Sequence, residues 1–261
     1  MRVAAIGDNC MDVYPRQQIS YPTGNAVDFA VHMRRMGVPT SLISYTGGDD
    51  NGRVMLDALT REGLNLSRLH ITEGATAVTY MDIRDRERLH GDYVEGVLEH
   101  MTFSDDDILF AASHDHVHTA FWGKADPYLE RIKRAGPTIS FDYATKLNDP
   151  LVARTLPYVD YAFFSYPKPR DTYIEQFLKD AAKRGARVAV ATFGGRGSLA
   201  YDGAAFHDFG VYETEVVNTV GAGDSFIAGF MHGMLQDRPI RDCLDAGARL
   251  ASQVVSMFEP F

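Results

Sequence analysis

The run EVVNTVGAGDSFIAGF over residues 215–230 constrains this chain more than any other. A β-branched stretch stops at Asn218 and Thr219, Gly221 and Gly223 bracket Ala222, and an amphipathic pattern opens at Asp224. The pattern predicts a strand, a tight turn and a helix start. Residues this small let backbone N–H groups converge unobstructed, and the first helical turn adds unpaired donors and the positive end of its dipole, so the turn favours an anion such as phosphate. Asp224 is the exception. A carboxylate among phosphate oxygens is unfavourable unless it handles a proton or a metal, which makes it a candidate general base. As an Asp ahead of an apolar run it also has the form of an ordinary N-cap.

The segment NTVGAGD at residues 218–224 resembles the second signature, DTxGAGD, of the ribokinase-like, or PfkB, carbohydrate kinases. The resemblance implies that Gly221, Ala222 and Gly223 form the anion hole for the migrating phosphoryl group, with Thr219 at the nucleotide, and that Asp224 deprotonates a sugar hydroxyl. ATP and Mg2+ are the implied cofactors, and no residue is assigned as a metal ligand. Asn218 departs from the signature, removing a negative charge near the nucleotide phosphates while the base is kept.

At 261 residues, 45% hydrophobic and 23% charged, the chain has the composition of a soluble globular protein and is read as a single ribokinase-like α/β domain over 1–261. The formal charge of −9 argues against a nucleic-acid partner, because phosphate backbones are bound through basic patches. Cys10 and Cys243 are too few for a disulfide framework or a zinc site. No signal-peptide region is completed before Gly7 and Asp8 and no window approaches a membrane span, so no membrane partner and a cytoplasmic setting are expected.

Residues 2–6 read as a short buried strand ending in Gly7, Asp8 and Asn9, with Asp12 close behind. Open α/β sheets place ligands just past such a strand end, although an Asx-rich turn has the same composition. The absence of GxGxxG counts against a dinucleotide-dependent oxidoreductase. A helix then runs through residue 36, opened by Thr23, Gly24 and Asn25 where the family's first signature has GGNA. Gly24 permits close backbone approach to a sugar and Asn25 both donates and accepts to vicinal hydroxyls; an Asn cap is the alternative. The resemblance places Asp8, Asn9, Asp12, Gly24 and Asn25 around the substrate. Past a second strand at 41–45, Gly48 and Asp49 fall on a family GxDxxG segment at the same site. Both Asp49 and Asp50 also suit a helix cap, the preferred reading for Asp50.

Residues 75–98 alternate in strand fashion around a charged hairpin tip at 84–88. With about residues 11–20 they are expected to form a small β lid outside a mostly parallel central sheet flanked by helices. A lid keeps water from intercepting the phosphoryl group, and its exposed strands also suit pairing between two copies as a homodimer. His114, His116 and His118 share the spacing of one strand face, but no further ligand stands at a recognisable spacing, and strand histidines are commonly structural. Trp122, in the segment 118–123, either lines the cleft or packs as an aromatic.

Strands at 139–143 and 161–165 follow. Asp142 and Lys146 match loosely the polar residues that the family has near the phosphates. After the later strand the family carries an NxxE motif that organises magnesium, whereas this chain has Ser165, Tyr166, Pro167 and Lys168. The turn at 192–198 lacks the GxxxxGK[ST] of a P-loop and resembles the family's TxGxxG nucleotide loop at Thr192, Gly194 and Gly197. A last helix at about 240–257 carries Ala246, Gly247, Ala248 and Ala251, small enough to leave room for adenine.

Within the family, residues 7–15, 91–97 and 118–123 resemble members that phosphorylate the C6 hydroxyl of a fructosamine-type, sugar-amine substrate. Such a substrate built on lysine carries a carboxylate and amines, so Arg88 is expected to meet the carboxylate and Asp92 or Glu95 an amine. The other readings are a kinase of the same family for another sugar or nucleoside, and a non-catalytic sugar or nucleotide sensor.

Overall fold

Strands that are apolar on both faces build the centre of this protein. The computed structural model describes the backbone outside residues 85–86 and the side chains outside residues 83–90. The chain opens with β1 (Val3–Ile6), β2 (Cys10–Tyr14), β3 (Ile19–Thr23), α1 (Asn25–Arg35), β4 (Thr40–Gly47), α2 (Asp50–Arg61) and β5 (Asn65–Thr72). β6 (Val78–Arg84), β7 (Glu87–Val94), α3 (Asp105–Ala112), β8 (His116–Ala120), α4 (Leu129–Ala135) and β9 (Thr138–Asp142) come next. It continues through α5 (Pro150–Thr155), β10 (Tyr161–Ser165), α6 (Thr172–Arg184), β11 (Val188–Thr192), β12 (Ser198–Tyr201) and β13 (Phe206–Phe209) to α7 (Ala222–Met234) and α8 (Ile240–Val255).

The main sheet has the order β13-β12-β11-β10-β9-β8-β1-β4-β5. Neighbours from β5 to β11 are parallel, and β12 and β13 add on antiparallel. Alternation sorts each strand between two cores: Ala4, Ile6, Ala162 and Phe164 pack with α3 to α6, while Val3, Ala5, Tyr161 and Phe163 pack with α1, α2, α7 and α8. Cover on both faces is why these strands read as continuous apolar runs. A second sheet, β3-β2-β6-β7, supplies the strands expected outside the main one. Among the described residues no helix is long and apolar enough to cross a membrane.

One expectation is corrected. Residues 215–217 are not a strand: Val216 and Val217 are exposed, and the N–H groups of Val217 and Asn218 donate to the Val255 carbonyl at 2.7 and 3.1 Å. The segment satisfies the end of α8 instead of pairing with β13. α7 packs closely on α8 at Gly229 and Gly247. A β-carbon at Gly229 would lie 2.7 Å from the Ala246 carbonyl oxygen, and one at Gly247 would lie 2.7 Å from that of Phe226.

This contact sets how closely α7 packs on α8. Gly229→Ala is expected to lower unfolding free energy by about 1–3 kcal/mol through overpacking against backbone, measured as a shifted urea midpoint.

Candidate active site

The turn before α7 uses its glycines differently. Gly221 has φ +75°, and a side chain there would also meet Pro260 Cβ at 2.6 Å. Gly223 is exposed and faces open space. One glycine seats the turn against residue 260, and the other leaves the helix start open. Asp224 is the third residue of α7, with Gly221 in the cap position, so the N-cap alternative does not hold. Nor is Asn25 a cap: Gly24, at φ +130°, precedes it and sits so close to Asn9 that a β-carbon would lie 2.6 Å from its Cα. Asn25 Nδ2 instead donates to Asp224 Oδ1 at 2.9 Å.

Asn218 is buried, and its role differs from the removal of a charge. Its Nδ2 donates to the Phe258 carbonyl at 2.7 Å and to Tyr21 Oη at 3.4 Å, while its Oδ1 accepts from Val220 N–H at 3.0 Å. An amide meets both demands; an ionised aspartate has no proton to donate. The residue thereby ties the turn to β3.

Carboxylates gather around Asp224, which is only 7% exposed. Burial, and then the charge of Asp142, raises its carboxyl above the usual range. Asp142 is pushed up to about 6 by burial, with Asp8 the charged neighbour, and burial raises Asp8 as well. Asp28, 1% exposed, is raised well above the usual range by burial and then by Asp224. It accepts from Thr23 Oγ1 at 2.9 Å through Oδ2, and its Oδ1 has no hydrogen-bond partner among the described residues. Sequence reasoning missed Asp28. A carboxylate between Val27 and Phe29 on the apolar face of α1 was the available signal. Asp12 belongs to this cluster through its influence on Asp28 and on Cys10, whose thiol is raised by burial and then by Asp12 and Asp8.

The other expected residues divide. Asn9 Nδ2 donates to Ser44 Oγ at 2.7 Å and Tyr45 O at 2.6 Å, stitching the β1 end to β4. Asp49, not Asp50, caps α2, accepting from Gly52 N–H at 2.9 Å, and also holds Thr76 through Oγ1 at 2.6 Å and N–H at 3.0 Å. With Gly48, whose N–H reaches Thr72 O at 2.8 Å, it forms the joint leading into the second sheet. Asp92 is exposed on β7, and the side chain of Arg88 and the tip at 85–86 lie outside the described residues.

Thr192 ends β11, two strands from Asp142 on β9, roughly 10 Å along the same carboxyl edge. Beyond it, β-carbons at Gly194 and Gly195 would meet nothing, so the turn is a cradle of bare backbone. Gly197, at φ +95°, closes it with its carbonyl accepting from Phe193 N–H at 2.8 Å. In place of the NxxE motif, Tyr166 N–H donates to Thr192 O at 2.8 Å and Arg196 donates to Pro167 O at 2.7 Å, so that loop buttresses the cradle. Thr219 is exposed before α7, with its carbonyl accepting from Ala222 N–H at 3.3 Å. The histidines are structural: His116 and His118 share Ser140 Oγ at 2.8 Å, and His114 bonds Ser41 Oγ at 2.9 Å. Among the described residues, no three His, Cys, Asp or Glu side chains are arranged to hold a metal ion.

The profile of the pfkB family carbohydrate kinases matches residues 2–259. Fructoselysine 6-kinase of Escherichia coli is 36% identical over 253 residues, covering 97% of each chain. The fructosamine kinase of Bacillus subtilis is 31% identical over 266 residues, covering 100% of this chain and 93% of its own. Ribokinase of Arabidopsis thaliana, solved with ribose and ATP, superimposes with a TM-score of 0.87 at 19% identity, over 99% of this chain and 93% of that one.

The raised carboxyls carry a stability consequence. A carboxyl whose proton is held more tightly in the fold loses its stabilising contribution as pH rises from about 4, the ordinary range, through its raised folded value. Asp28→Asn removes one such group while keeping an acceptor for Thr23. Its melting temperature relative to the unsubstituted protein is expected to climb between pH 5 and pH 8 by about 2–4 °C, read by differential scanning calorimetry.

Proposed function

Because the chain belongs to the pfkB family of carbohydrate kinases, we propose that this phosphotransferase moves the γ-phosphoryl group of ATP to the C6 hydroxyl of a fructosamine-type sugar such as fructoselysine. The substrate class rests on the two relatives named for such compounds. The observation carrying the mechanism is the buried Asp224 carboxylate, gripped by Asn25 within the first turn of α7.

In this reading, Asp12 and Gly24 hold the sugar with its C6 hydroxyl towards Asp224. Asp224 takes the hydroxyl proton as the C6 oxygen forms its bond to γ-phosphorus, and the bond from phosphorus to the departing ADP oxygen breaks. Amides of Gly221, Ala222 and Gly223, with the α7 dipole, bear the charge on the transferring group. The nucleotide lies along Thr192, Gly194, Gly197 and Thr219. Mg2+ is assigned to the nucleotide, whose phosphates supply oxygen ligands of the kind this ion prefers. The protein contributes positioning and charge stabilisation.

The second sheet acts as the lid, closing on the acceptor so that water does not compete. Arg88 meets the lysine-derived carboxylate and Asp92 the distal amine. Glu95 is less suited, being bonded to Lys124 Nζ at 3.3 Å. Exposed Tyr80 and Val94 on the lid support pairing with a second copy, and the cytoplasm is the setting in which ATP is supplied.

Asp224→Asn keeps the acceptor for Asn25 and is expected to lower turnover by about 10²–10⁴-fold while sugar binding survives; near-normal turnover would reject the base. Coupled ADP detection across fructoselysine, fructose, ribose and a nucleoside is expected to give the highest kcat/KM for fructoselysine. Preference for another acceptor moves the assignment within the family, and no ADP from any of them makes the protein a sensor.

A further inference from the structure

The acid cluster holds more carboxylates than a single proton transfer uses. Asp224 is acted on by Asp142 and Asp8, Asp142 by Asp8, and Asp28 by Asp224, Asp12 and Asp8. Among the described residues, the charged neighbours that shift these three groups are carboxylates. Lysines of adjoining loops are engaged elsewhere: Lys124 Nζ donates to Glu95 Oε2, Leu98 O and Glu99 O, and Lys146 Nζ sits 5.7 Å from the Phe121 ring centre.

We propose that Asp8 and Asp142 form the binding site for a protonated amine on the sugar, so that the pocket selects cationic sugar derivatives over neutral ones of the same shape. The inference rests on the sugar-kinase reading and deepens it. Asp8 follows β1 and Asp142 ends β9, with β8 alone between these strands, so their backbones lie roughly 10 Å apart on one carboxyl edge, close enough for the charge of Asp8 to act on Asp142. Asp8 Oδ2 accepts from Asn25 N–H at 3.2 Å, and its buried Oδ1 has no hydrogen-bond partner among the described residues. Asp142, 7% exposed, accepts from Ala144 N–H at 2.9 Å through Oδ1. Asp28, on which the charges of Asp224, Asp12 and Asp8 act, likewise has a buried Oδ1 with no hydrogen-bond partner among the described residues.

Buried like charges are relieved by protons, by a metal or by an organic cation. The described side chains do not offer a metal-binding set. A secondary ammonium brings one positive charge and two N–H donors, which suits two acceptor carboxylates. A neutral sugar leaves those acceptors desolvated and unpaired, the condition under which a polar site rejects an isostere. The same cation lowers the proton affinity of Asp224, so the base ionises when the correct acceptor is bound.

The test compares a 1-alkylamino-1-deoxyfructose with its ether isostere, in which oxygen replaces the amine, by coupled ADP detection near neutral pH. The unsubstituted protein is expected to favour the amine at least ten-fold in kcat/KM. Asp8→Asn and Asp142→Asn are each expected to cut that ratio by about ten-fold, chiefly through KM. A ratio near one in the unsubstituted protein, or one unchanged by both substitutions, overturns the proposal. Titration calorimetry of both compounds without nucleotide reads the same preference independently of turnover. Preferential amine binding without phosphorylation rejects the kinase reading and keeps this one, whereas equal binding with phosphorylation does the reverse.

Discussion

A parallel sheet covered by helices on both faces has only its edges on which to place polar chemistry. The cores beside β1, β9, β10 and β11 fill both sides of those strands, so Asp8, Asp142 and the Thr192 turn emerge where the strands stop. α7 reaches the same edge because Gly229 lets the α8 backbone come within contact. The position of Asp224 therefore depends on how α7 packs on α8.

Gathering carboxylates at that edge is unfavourable in the resting protein. Burial and mutual repulsion raise Asp28, Asp142 and Asp224 together, and the large apolar cores offset the loss. Functional sites commonly carry such perturbed groups. Neutral partners keep the arrangement ordered: Thr23 holds Asp28, Asn25 holds Asp224, and Asn218 joins the glycine turn to Tyr21 on β3. That last bond, with Tyr14, Tyr21 and Phe258 packed together beside Val220, makes the second sheet and the turn one mechanical unit.

Much of the architecture was legible because buried strands have a short-range signature. The apolar run at 188–192 coincides with β11, and the run at 161–165 with β10. The reading failed where local composition misleads. Val216 and Val217 are β-branched but have no sheet edge to join. Asp49 and Asp50 compete for one cap, and the winner is the one whose carboxylate also reaches Thr76.

By itself, the sequence determined the alternation of strands and helices, the glycine turn before Asp224 and the family to which the chain belongs, because each is written in contiguous residues. Only the tertiary structure decided that Asn25 grips Asp224 across 199 positions, that Asp28 and Asp142 crowd the same carboxylate, and that Asn218 bonds to β3. Those contacts join residues far apart in the chain. Charge and hydrogen bonding act through space, so their partners are set by how the helices and strands pack.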